Sequence, residues 1–66
     1  MQILLNGEEK ELSENTTMSE LVQQLDLDGQ RFAIEVNAEL VPRSSFDQHR
    51  LQPGDRVEIV QAIGGG

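Results

Sequence analysis

The chain closes on Gly64-Gly65-Gly66, directly after a β-branched run that ends at Ile63. The reactive group there is the α-carboxylate of Gly66, ionised at neutral pH. Glycine lacks a Cβ, so such a tail passes through channels that admit no side chain. Three extended residues reach about 10 Å, enough to run from a folded body into a site buried in another protein. A carboxylate is anionic and resonance-stabilised, and therefore a poor electrophile. It is activated when its oxygen attacks the α-phosphorus of ATP, giving an acyl-adenylate from which a nucleophile displaces AMP. Two easier steps then replace one hard step. Both reactants are anions, so a partner must supply the metal and the basic groups that bring them together. If the incoming nucleophile is sulfur, the product is a thiocarboxylate.

Other chemistries find little support. Cysteine is absent, which excludes disulfides, thiolate metal sites, catalytic thiols and carriage of sulfur as a persulfide. A thiocarboxylate needs no cysteine. The one histidine, His49, is too few for a His-based zinc site or a relay. Asp26-Leu27-Asp28-Gly29 shares the opening of a calcium loop, but its glycine comes too early and the ligand series stops. There is no phosphate loop, no dinucleotide fingerprint and no Ser/His/Asp set. The carboxylates read as a solvated surface, because acid–base work needs a concave site that shifts their pKa values. The chain reads as a substrate or carrier for partner enzymes, with no bound cofactor. ATP and a sulfur donor would be used through the partner.

Sixty-six residues, 36% of them hydrophobic, make one small domain. A domain of this size buries only about 60% of the surface its unfolded chain exposes. No segment approaches a membrane span, and Met1-Gln2-Ile3 opens a strand with no signal-type leader, so the expected compartment is the cytoplasm. The formal charge is -7, from 5 Lys+Arg against 12 Asp+Glu. That field repels phosphate backbones and anionic lipids, which disfavours nucleic-acid and membrane binding. Only Phe32 and Phe46 are aromatic, too few for a platform on which bases stack. A basic protein partner fits better.

The elements that must carry the tail follow from pattern. Met1 to Leu5 alternates as a strand with Met1, Ile3 and Leu5 on one face. Asn6-Gly7 is a type I′ hairpin signal, and Glu8 to Leu12 is a charged return strand suited to an edge. Thr17-Met18-Ser19-Glu20 has capping-box spacing. Met18, Leu21, Val22 and Leu25 then form one apolar helical stripe, which Gly29 is expected to terminate in the left-handed conformation. Phe32, Ile34 and Val36 alternate inward; Asn37-Ala38-Glu39 turns the chain into a short strand, Leu40-Val41, stopped by Pro42. Ser44 to His49 reads as an irregular or single-turn segment anchored by Phe46 and Leu51. Gln52-Pro53-Gly54-Asp55 has type II turn chemistry. Arg56 to Ile63 is the last strand, apolar on much of both sides and so central, with Val57, Ile59 and Ile63 inward. This order predicts an α+β domain over residues 1–63, a mixed sheet of four to five strands curled over one helix. Residues 64–66 form a flexible glycine tail.

Ordering three glycines costs about 1–2 kcal/mol each, so docking to a partner must be driven by the folded body. Leu4, Val60 and Ala62 alternate away from the predicted core on the side of the sheet nearest the tail. They are the candidate docking surface, with Arg43 and Arg56 adding polar contacts at its rim.

Over essentially its full length the chain resembles the ThiS family of sulfur carriers for thiamine biosynthesis. The resemblance is carried by Met1-Gln2-Ile3, the Asn6-Gly7 hairpin, Ala33-Ile34-Glu35-Val36-Asn37, Leu40-Val41-Pro42-Arg43, Leu51 to Ile59, and the closing Gly65-Gly66. It implies a β-grasp, ubiquitin-like fold. It also implies that Gly66 is adenylated by an ATP-dependent adenylyltransferase similar to ubiquitin-activating enzymes, then thiocarboxylated with sulfur from a donor such as cysteine desulfurase. Thiazole synthase would receive the sulfur. Gly65 and Gly66 carry over directly, Gly64 less so because the position before the pair varies; Phe46 fills an aromatic packing position after Pro42-Arg43. The same chemistry would also serve another sulfur pathway, such as the molybdopterin type. A ubiquitin-like modifier or interaction module would use the same tail differently.

Overall fold

The computed structural model describes residues 1–27 and 30–61. Two strands lead, β1 (Gln2–Leu5) and β2 (Glu8–Glu11), joined by a turn in which Asn6 has φ 51° and Gly7 φ 85°. Positive φ at both central positions is what a type I′ hairpin needs to match the twist of its strands. The return strand stops at Glu11, one residue short of expectation; Leu12 follows it, buried, with its N–H donating to the Met1 carbonyl at 2.7 Å.

Helix α1 (Met18–Gln24) begins where the capping box places it. The Glu20 N–H donates to Thr17 Oγ1 at 3.2 Å, and the Thr17 N–H donates to Glu20 Oε1 at 2.9 Å. The apolar stripe holds: Met18 and Leu21 are buried, with Val22 and Leu25 packed on the core. The helix ends ahead of Gly29. Leu25 caps the helix and Asp26, at φ 55°, takes the left-handed conformation; Gly29 lies outside the described residues. A short polar side chain tolerates that conformation, so the chain leaves the helix as soon as its apolar stripe ends.

The remaining elements are β3 (Phe32–Val36), β4 (Glu39–Val41), a 3₁₀ turn (Arg43–Ser45) and β5 (Arg56–Gln61). Asn37 (φ 52°) and Ala38 (φ 70°) link β3 to β4 in a second left-handed pair. Phe46 and Leu51 are buried, as their segment requires. That segment satisfies the start of α1: the Met18 N–H reaches the His49 carbonyl at 2.8 Å and the Ser19 N–H reaches that of Phe46 at 3.2 Å. The Gln52 to Asp55 turn closes with an Asp55 N–H to Gln52 carbonyl bond of 3.1 Å, with Gly54 at φ 82°. Ile63 and the rest of the expected strand beyond Gln61 lie outside the described residues.

The strands form one sheet in the order β2-β1-β5-β3-β4, with β1 and β5 parallel and every other pair antiparallel. The charged β2 is an edge and the apolar β5 is central, as composition demanded. Ile3, Ile34 and Val57 from the sheet meet Met18 and Leu21 from the helix, all fully buried. Each contributes about 1.5–3 kcal/mol of apolar burial. The opposite face of the sheet is uncovered by any described element.

Candidate functional site

The strand that leads to the glycines is gripped on both sides by asparagines from the two left-handed turns. Asn37 Oδ1 accepts from the Arg56 N–H at 3.0 Å, and Asn6 Oδ1 accepts from the Ile59 N–H at 2.8 Å. The second bond continues the parallel β1–β5 ladder past Leu5↔Val57, where the strand pairing ends. Asn37 Nδ2 also donates to Asp55 Oδ1 at 3.1 Å, while Asp55 Oδ2 accepts from the Gln52 N–H at 2.8 Å. The base of β5 is therefore fixed by side chains whose backbones already needed positive φ. Ala62, Gly64, Gly65 and Gly66 lie outside the described residues.

Gln61 is the last described position of β5, paired with Phe32 of β3. Its Nε2 donates to Gln30 Oε1. The Gln30 carbonyl in turn accepts from Arg43 Nη2 at 3.5 Å. Arg43 Cζ sits 4.5 Å from the centroid of the Phe32 ring, a cation–π contact. Phe32 stacks on Phe46 with centroids 6.3 Å apart.

The outer face of the sheet is laid out by register. Glu9, Leu4 and Arg56 form one row; Glu58, Glu35 and Leu40 the next; Val60 and Ala33 the last. Leu4 and Arg56 are thus neighbours, as expected. Val60 is on the same face but four positions along β5 from Arg56, about 13 Å away, with Glu58 between. Arg43 does not join them. It stacks on Phe32, whose phase along β3 is that of buried Ile34 and Val36, so it belongs to the helix side of the sheet. A residue in a connecting turn has no periodicity from which its side could be read.

Leu40 was not among the candidates read from sequence, yet it is 66% exposed, with Val60 at 62%. The signal was present: Val41 must face inward for Pro42 to end the strand on the core, which turns Leu40 outward. Two exposed apolar side chains therefore flank a pair of directly opposed glutamates, Glu35 and Glu58. Like charges in that relation weaken a sheet rather than support it.

Ser45, His49 and Asp55 line a cavity of about 370 Å³ near the start of β5. They do not form a catalytic relay. The Asp55 carboxylate is taken by Asn37 and Gln52, and neither it nor the Ser45 hydroxyl bonds to the His49 ring among the described residues. Among those residues, too, no three His, Asp or Glu side chains converge to hold a metal ion.

The ThiS family model matches residues 3–66. Among characterised sequences, the sulfur carrier protein ThiS of Escherichia coli is 38% identical, each chain covered in full. A thiazole synthase of Paramagnetospirillum magneticum is 42% identical over all 66 residues of this chain, which span only 20% of that protein. Among solved structures, the crystal structure of a thiamine biosynthesis protein (ThiS) from Geobacter metallireducens superposes with a TM-score of 0.85 at 29% identity, each chain covered in full.

Proposed function

Because the chain belongs to the ThiS family, a group of β-grasp sulfur carriers of thiamine biosynthesis rather than enzymes, we propose that it carries sulfur on the carboxylate of Gly66. One carboxylate oxygen attacks the α-phosphorus of ATP on an ATP-dependent adenylyltransferase, and pyrophosphate leaves. A sulfur nucleophile, supplied by a donor such as cysteine desulfurase, attacks the acyl carbon of the adenylate and AMP leaves. Where that nucleophile is a persulfide, the product is an acyl disulfide. Thiols of the partner enzymes then reduce its S–S bond, being oxidised to a disulfide, to free the thiocarboxylate. The thiocarboxylate on Gly66 then passes its sulfur to thiazole synthase. Gly64 and Gly65 form the narrow thread that lets the terminus enter each partner's site, while Leu4, Arg56, Val60, Ala62 and Leu40 supply the face that docks.

The observation that carries this reading is end-to-end similarity to a sulfur carrier in a chain that closes on Gly65-Gly66 and contains no thiol. The thiazole synthases that contain a similar stretch support the choice of acceptor. The acidic body suits an activator that must be basic to hold ATP.

Intact-mass measurement tests it. Incubation with ATP, the adenylyltransferase and a sulfur donor is expected to exchange one oxygen for one sulfur. Removal of Gly66 is expected to abolish the exchange and leave the circular dichroism spectrum unchanged. A ladder of larger adducts would assign the tail to a protein modifier, and an unchanged mass of the wild-type chain would end the proposal.

A further inference from the structure

We infer that Glu35 and Glu58 form a seat for a cationic side chain of the adenylyltransferase, flanked by apolar contacts that Leu40 and Val60 make with the same protein. The identity of that partner rests on the proposed carrier role. The two glutamates stand directly opposite each other on β3 and β5, on the face of the sheet that no described element covers. Residues so placed have Cβ atoms about 4.5–5.5 Å apart, and like charges there destabilise a sheet. The fold does not offset this repulsion. Among the described residues neither carboxylate forms an ion pair. Arg56 lies on the same face two positions along β5 from Glu58, about 7 Å away, in the row of Leu4 and Glu9. Opposed anions in the middle of an open face call for a cation from outside.

The surroundings of the pair say what carries that cation. Leu40 adjoins Glu35 in the same row, and Val60 follows Glu58 by two positions along β5. Both are large apolar side chains left exposed. Ala33, opposite Val60, is exposed and ends at its Cβ, so a step opens beside Glu35 between the two apolar groups. A basic side chain matches this layout: its aliphatic stem covers Leu40 and Val60 while its head lies between the carboxylates. A guanidinium has donors enough to bond both carboxylates at once, in charge-assisted hydrogen bonds. A second copy of this chain does not fit, because stacking two such faces gathers four carboxylates. The net charge of -7 suits the basic surface of an enzyme that must hold ATP.

Calorimetric titration of the adenylyltransferase without ATP, using Glu35→Gln, Glu58→Gln and the double variant, tests the seat. Each single change is expected to raise Kd about tenfold, as loss of a hydrogen bond to a charged group does. Added salt should weaken the wild-type complex more than that of the double variant. Urea midpoints of the free variants should equal or exceed that of the wild type, because the repulsion is relieved. Glu58→Lys places a cation opposite Glu35 inside the fold. It should raise the midpoint and weaken binding about a hundredfold, since like charges then meet across the interface. An unchanged Kd for the double variant overturns the proposal. So does a lowered midpoint in both single variants, which would make the pair a support of the fold. Self-association of the double variant in sedimentation, at unchanged Kd, would make the pair a guard against self-contact and also overturn it. Because no ATP enters the titration, a wild-type chain that binds but resists adenylation removes the reading of Gly66 alone, and the variants still decide the seat. A wild-type chain that does not bind removes both.

Discussion

Two asparagines do double work in this chain. Asn6 and Asn37 each take a φ near +50° at the first position of a tight turn, and each turns its side-chain oxygen to a backbone N–H of β5. Replacing Asn37 separates the two contributions. Asn37→Gly keeps the backbone at ease but leaves the Arg56 N–H and Asp55 Oδ1 without these partners, an expected loss of about 1–3 kcal/mol. Asn37→Ala adds the penalty of a Cβ in the left-handed region, about 1 kcal/mol more. Urea denaturation at constant m-value resolves the difference, and equal midpoints for the two variants would remove the left-handed turn as a source of cost. The Asn6-Gly7 turn was legible because both residue types favour positive φ. Asn37-Ala38 was legible as a turn but not as a left-handed pair, since alanine argues against one. The reach of either asparagine to β5 is a third-strand relation, which no local pattern contains.

At the level of elements, β5 decides the design. It is central, it leads to the tail, and its outward residues Arg56, Glu58 and Val60 sit in the middle of the uncovered face. Val60→Asp is expected to change folding stability by no more than about 0.5 kcal/mol, because an exposed strand position loses little core packing. It is expected to weaken binding to the adenylyltransferase by about tenfold or more, as loss of a central apolar contact does. A calorimetric titration with unchanged affinity would remove this face from the docking surface. Alternation told which side Leu4 and Val60 face: Val60 is exposed, and Leu4 is half-buried in one row with Glu9 and Arg56. It did not tell their separation, which depends on the parallel pairing of β1 with β5 across the length of the chain. The helix was legible at its start, where a capping box and an apolar stripe coincide. Its end falls where the stripe stops, at the head of the Asp26 to Gly29 stretch, but the left-handed residue there is Asp26, which glycine's stronger average preference for that conformation obscured.

For the molecule as a whole, seven net negative charges make each cation matter. The Met1 ammonium donates to Glu11 Oε2 and to the Leu12 carbonyl, each at 2.7 Å, and stands 3.5 Å from Glu14 Oε2. It thereby ties the first strand to the segment that follows the second. The hydrogen bond to Glu11 raises its pKa above the usual 8.0, with the charges of Glu11 and Glu14 adding to the rise and partial desolvation opposing it. A group whose folded-state pKa is raised stabilises the fold fully below its unfolded value and loses that contribution as pH climbs through the folded one. Thermal midpoints should accordingly hold steady up to about pH 8 and then decline, before lysine titrates near pH 10.4. Glu11→Gln removes the largest cause, so its curve should start lower at neutral pH and flatten across the same window. Both glutamates are exposed, so added salt should shrink the difference between the two proteins. Parallel curves for wild type and Glu11→Gln through this window would show that the ammonium contact contributes nothing to the fold. A gap that grew with salt would contradict its electrostatic origin.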